Sequence, residues 1–155
     1  MANKKILFIS LATIFIVIIF HFFALQNSWY WRVRWIDIPV HIIGGFGVAL
    51  LSVWIALKFK HINNICNYKI KSFLIIFVSV LSVGIFWEIF ELIIRFTHFG
   101  RANYWEESLV DVINGLIGGV IAYFYFIKYK KTKCYLALKD KKKHFCENLL
   151  VKDNQ

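Results

Sequence analysis

A bundle of four transmembrane helices, all-α and polytopic, is the fold class predicted by this 155-residue sequence, and three observations predict it. Hydrophobic residues make up 59% of the chain and the mean hydropathy is +0.61, more apolar surface than a soluble domain of this size can bury. Four apolar stretches, residues 6–25, 38–57, 72–94 and 109–127, each reach the roughly 20 residues that a spanning helix needs. Across the four spans, fifteen of the 19 basic residues fall on one side, the excess that the positive-inside rule places in the cytoplasm.

The first stretch follows Lys4 and Lys5 and is longer than the roughly 7–15 apolar residues of a signal peptide. Its exit, Phe22-Phe23-Ala24-Leu25-Gln26-Asn27, offers no small-x-small cleavage site, so the stretch is expected to stay as an anchor. A short aromatic loop follows, with Trp29, Tyr30, Trp31 and Trp35 beside Arg32 and Arg34. The second stretch opens at Asp37, which ahead of Pro39 is placed to cap a helix. A polar loop over residues 58–71 holds Lys58, Lys60, Lys69, Lys71 and Cys66, with no acid among them. The third stretch ends with Glu88, Glu91 and Arg95, and the loop after it brings His98, Arg101, Tyr104, Trp105, Glu106 and Glu107. The fourth begins with Asp111 and Asn114. Beyond a transmembrane domain of residues 1–133, residues 134–155 read as a Lys-rich tail.

Fifteen of the 19 basic residues are lysines, all on the side of the termini and the second loop; the four arginines lie on the other side. This predicts a multi-pass protein of the bacterial inner membrane with both ends in the cytoplasm. Cys66, Cys134 and Cys146 then face the reducing compartment, and the aromatic residues of the first and third loops form an outer belt. The net charge of +10 is accounted for by orientation and by a polybasic tail that can lie on anionic lipid. Without a recognisable nucleic-acid module, no nucleic-acid partner is expected.

Six of the nine acidic residues fall toward the outer side: Asp37, Glu88, Glu91, Glu106, Glu107 and Asp111. His41 lies one turn, about 6 Å, deeper than Asp37. Asp37 with His41 and Glu107 with Asp111 are spaced i,i+4, while Glu88 with Glu91 and Asp111 with Asn114 are spaced i,i+3, so each pair shares a helix face. Glycines accompany those faces: Gly44 and Gly45, Gly84, then Gly115, Gly118 and Gly119. Close helix contact through Gly44, Gly84 and Gly115 would turn the polar groups into the bundle, where carboxylates cost less than against lipid. Simpler roles compete. Glu106, Glu107 and Asp111 sit where acids favour a helix N-terminus, and Glu91 is spaced for an ion pair with Arg95. His21 reads first as an interfacial side chain near the end of the first helix.

Converging His, Asp and Glu side chains suit a divalent cation, Mg²⁺, Mn²⁺, Ca²⁺ or Zn²⁺, which also offsets the repulsion among the carboxylates. The predicted ligands are Asp37, His41, Glu88, Asp111 and Asn114. Glu91 or Glu107 would be the general base, and Arg95 or Arg101 would hold an anionic headgroup. No H-E-x-x-H motif is present, and no Ser or Cys stands in an activating constellation on that side.

The series Asp37-x-x-x-His41-x-x-Gly44, Trp87-Glu88-x-x-Glu91 and Glu107-x-x-x-Asp111-x-x-Asn114-Gly115-x-x-Gly118 resembles the YjdF-like group of small bacterial inner-membrane proteins. More distantly it resembles the VanZ-like family linked to glycopeptide resistance. The resemblance covers residues 37–122. The YjdF-like pattern has Asp in place of Glu107, and the VanZ-like pattern spaces its Asp and Asn one residue further apart. It implies site positions rather than a reaction. Two functions follow as expectations. One is a metal-dependent hydrolase or transferase working on a lipid or phosphorylated headgroup at the outer leaflet. The other is a cation- or proton-coupled carrier, which four short helices would support only as a homo-oligomer.

Overall fold

A computed structural model describes residues 4–59, 68–96 and 104–152 of the chain. All regular structure among them is helical. In order come α1 (Lys4–Gln26), α2 (Trp29–Arg32), a 3₁₀ turn (Arg34–Ile36), α3 (Asp37–Lys58), α4 (Tyr68–Phe96) and α5 (Tyr104–Lys152). Four of these are long and apolar enough to cross a membrane: Lys4–Gln26, Asp37–Lys58, Tyr68–Ile93 and Glu106–Thr132. The chain divides into two units, residues 1–123 and residues 124–155, the second being the continuation of α5. That helix runs on past residue 127 because nothing stops it. The last glycine is Gly119, the single proline is Pro39, and the intervening Lys, Leu and Ala are good helix formers.

The first connection is tighter than a loop. Ser28 takes the left-handed conformation, at φ 57°, and ends the run from α1. Trp29 then folds back edge-on against Phe23 and Phe20, at centroid distances of 5.5 and 6.0 Å, so ring packing holds the turn to the helix it leaves.

Within the first unit α3 is the central element, packing on α1 and on α4. On α1 the contact is both steric and polar. Gly47 lies against Ile14 and Thr13, and the Ser10 hydroxyl donates to the Gly47 carbonyl at 2.9 Å in a fully buried position. Gly44 also turns to α1, with Val17 3.9 Å from where its Cβ would be. This departs from the expectation that Gly44 takes part, with Gly84 and Gly115, in the contact among the second, third and fourth spans. Neighbouring residues on a helix point about 100° apart, and it is Gly45 that meets α5: a Cβ there would fall on the Gly115 carbonyl oxygen. Gly118 presses equally close on the Ile42 carbonyl. Gly84 and Gly119 take up the α4–α5 contact, the first against Val112 and the second against Val80 and Ile76, and Phe73 packs edge-on to Tyr123 at 5.6 Å. Small residues thus set the α1–α3, α3–α5 and α4–α5 approaches, as expected where the lipid removes any hydrophobic drive between helices.

The apolar exterior fits a bilayer. Phe8, Phe15 and Phe86 are 74%, 64% and 72% exposed, a burden that water would not tolerate at this density. At the far end of α3, Lys58 lies over the Trp54 ring at 5.3 Å, an interfacial pairing of an amphipathic chain with an aromatic face.

Candidate functional site

Asp37 is the first residue of α3, and it does not cap that helix as its place before Pro39 suggests. The cap position belongs to Ile36, with no side-chain cap bond, and the Asp37 carboxylate instead turns along its own helix to His41. His41 Nε2 lies 3.4 Å from Asp37 Oδ1 and 3.9 Å from Asp111 Oδ2. One ligand atom from each of the three residues falls within 4.8 Å of the others, a spacing that a single cation can close.

The glycines explain how α5 delivers Asp111 to that point. Gly45 is one turn after His41 and Gly115 is one turn after Asp111, and the two glycines touch. Two helices running the same way and locked there must bring the residues one turn earlier to the same level. Sequence spacing pairs Asp37 with His41; the glycine contact supplies the third group.

Glu88, from α4, is buried at 9% exposed. It lies within electrostatic reach of both His41 and Asp111, but outside the set of three whose ligand atoms converge. Asn114 is buried one turn beyond Asp111. Glu91 is drawn elsewhere: the Trp87 indole Nε1–H donates to its Oε1 at 3.0 Å. Trp87 in turn packs edge-on to His21 of α1 at 5.2 Å, and His21 feels the charges of Glu91, Asp37 and His41. All four spans therefore contribute to one polar region, and His21 belongs to it rather than to the interface alone. Glu107 lies in the first turn of α5, as does Glu106, where the exposed N–H groups of the helix favour acids. The side chain of Arg95 and the whole of Arg101 lie outside the described residues, and so does the proposed Glu91–Arg95 pair.

Two participants escape a reading of the sequence. Trp87 meets Glu91 one turn along its own helix, a pairing that the i,i+4 spacing carries, but it meets His21 of α1 through an interhelical contact that no spacing reveals. Ser108 is different, because it precedes Asp111 by three residues and so shares its face; the signal is present in the i,i+3 spacing. Its hydroxyl is buried and has no hydrogen-bond partner among the described residues.

Chemically, three carboxylates beside one imidazole in a low-dielectric bundle need positive charge to stay together. Oxygen donors with one nitrogen fit Mg²⁺ or Mn²⁺ well and admit Zn²⁺. No curated protein and no solved structure matches the chain. The distant VanZ-like resemblance therefore finds no support. A family model, described as a predicted membrane protein (DUF2238), matches residues 4–132, which takes in all four spans and every residue of the polar region. The chain belongs to that family of membrane proteins.

Proposed function

We propose that this is a divalent-cation-dependent enzyme of the bacterial inner membrane, acting on a lipid or phosphorylated headgroup at the outer leaflet. The convergence of Asp37, His41 and Asp111 within 4.8 Å, from helices far apart in sequence, is the observation that carries the reading. When bound, the cation would polarise a phosphoryl or carbonyl oxygen and activate water. Asp37 and Asp111 would hold it by their carboxylates and His41 by its imidazole. Glu88 adds negative charge beside the ligands. Glu91, kept in place by the Trp87 indole, or Glu107 would take the proton from the attacking water, and the role of holding an anionic headgroup stays with Arg95 or Arg101, as the sequence suggests.

The orientation rests on the lysine distribution, which puts the site end of the bundle outside and the termini in the cytoplasm. The YjdF-like resemblance read from the motifs fits within the matched membrane family. Site chemistry favours an enzyme over a carrier. Toward the opposite end of the bundle the hydroxyls of Ser10, Ser52 and Ser72 are spent on the backbone carbonyls of Gly47, Ala49 and Tyr68, which leaves them poorly suited to pass an ion onward.

Metal analysis of the purified protein tests the proposal. Wild type should retain a divalent ion that Asp111→Asn loses. A wild-type protein that takes up no Mg²⁺, Mn²⁺, Ca²⁺ or Zn²⁺ would return the cluster to a proton-sharing role.

A further inference from the structure

Two buried polar side chains flank Asp111, each with an atom that has no hydrogen-bond partner among the described residues: the Ser108 hydroxyl and the Asn114 amide nitrogen. Yet Ser108 and Asn114 are only 9% and 7% exposed. They stand one turn before and one turn after Asp111, so the three make a single buried stripe along α5. The residues between them turn the other way, Leu109, Val110 and Ile113 being 62%, 48% and 47% exposed. Unmet polar groups in such a place cost stability unless a ligand completes them.

The amide nitrogen narrows the ligand, because it donates and cannot accept. A bare cation at Asp111 leaves it unmet. Cation-bound water turns its hydrogens outward and suits the Ser108 hydroxyl better than the amide. An acyl chain offers nothing to either. What satisfies both is an oxygen-rich anion whose other oxygens face the cation. From residue 108 to residue 114 the helix rises about 9 Å, with Asp111 midway, so an oxyanion seated beside a cation at Asp111 lies between the two side chains. We infer that Ser108 and Asn114 form an oxyanion subsite that receives the phosphoryl group of a phosphorylated ligand. The inference rests on Asp37, His41 and Asp111 being cation ligands, and it names the substrate class of that site.

The test uses the full chain in detergent micelles loaded with Mn²⁺, with manganese occupancy read by electron paramagnetic resonance. Binding of the phosphoryl group is read separately, by paramagnetic broadening of ³¹P signals. One arm uses inorganic phosphate and the other dihexanoyl phosphatidic acid. Wild type should broaden at least one probe. Ser108→Ala should keep its manganese and weaken that probe by about tenfold or more, the loss of a hydrogen bond to a charged group, and Asn114→Leu, compared at the manganese concentration that restores the wild-type resonance signal, should weaken it likewise. Broadening of phosphatidic acid alone assigns the subsite to a lipid headgroup, and broadening of phosphate alone to a free ion; both support the inference. Bound manganese with neither probe broadened, or with both variants broadened like wild type, overturns it. A wild type that binds no manganese fails at the resonance signal, which marks the cation reading itself as the step that broke. If thermal unfolding shows Asn114→Leu to be misfolded, Asn114→Ala takes its place with the same expected loss.

Discussion

Asp111 and Glu88 are both buried carboxylates near the ends of their helices, but their positions assign them different weight. Asp111 contributes an oxygen to the convergent set, whereas Glu88 acts from outside it by charge. Asp111→Asn is therefore expected to weaken divalent-cation binding at least about tenfold, and Glu88→Gln to weaken it less. Titration of Mn²⁺ into the two variants and wild type checks the order, and a larger loss for Glu88→Gln would make Glu88 a direct ligand. Ser10 matters for a different reason. Its hydroxyl bonds across to the Gly47 carbonyl in a fully buried position, so Ser10→Ala should cost about 0.6–1 kcal/mol of stability in the membrane or micelle. A lower thermal midpoint with unchanged cation binding is the expected signature.

Between helices, one residue separates a tolerated substitution from a damaging one. Gly44→Ala would place its methyl 3.9 Å from Val17, an ordinary contact. Gly45→Ala would drive its methyl into the Gly115 carbonyl, and backbone cannot move aside as a side chain can. The second change should destabilise by about 1–3 kcal/mol or more, and it should also lower cation affinity, because separating α3 from α5 withdraws Asp111 from His41. Thermal unfolding combined with Mn²⁺ titration of the two variants distinguishes this from a general intolerance of alanine. Equal behaviour of the pair would mean that the two helices do not meet at these glycines.

For the whole molecule, the lysine distribution predicts which side each connection faces. Cys66, Cys134 and Cys146 should resist a membrane-impermeant thiol reagent in intact cells and react after permeabilisation. Reaction without permeabilisation would invert the topology and move the site to the cytoplasmic face. The site residues all belong to the first of the two units, at or before Asn114. A chain ended after Lys133 should keep wild-type cation binding in the same titration, and loss of binding would tie the Lys-rich segment to the site.

Much of this protein is written in one dimension. Length and hydropathy determine four spans, since a bilayer demands roughly 20 apolar residues and an internally bonded backbone from each. The i,i+4 spacing of Asp37 and His41 determines that they share a face, because the helical repeat is a property of the chain itself. The repeat does not say how far a helix is rotated about its axis against its neighbours, and the tertiary structure settled that. Rotation decided that Gly45, not Gly44, meets α5, and so which residues stand level with His41. It brought His21 in from α1 to Trp87, whose own pairing with Glu91 is an i,i+4 contact within α4. Asp37 leaves capping for a local reason, since a carboxylate beside an imidazole at 3.4 Å finds a better partner there than in the N–H groups of its own first turn.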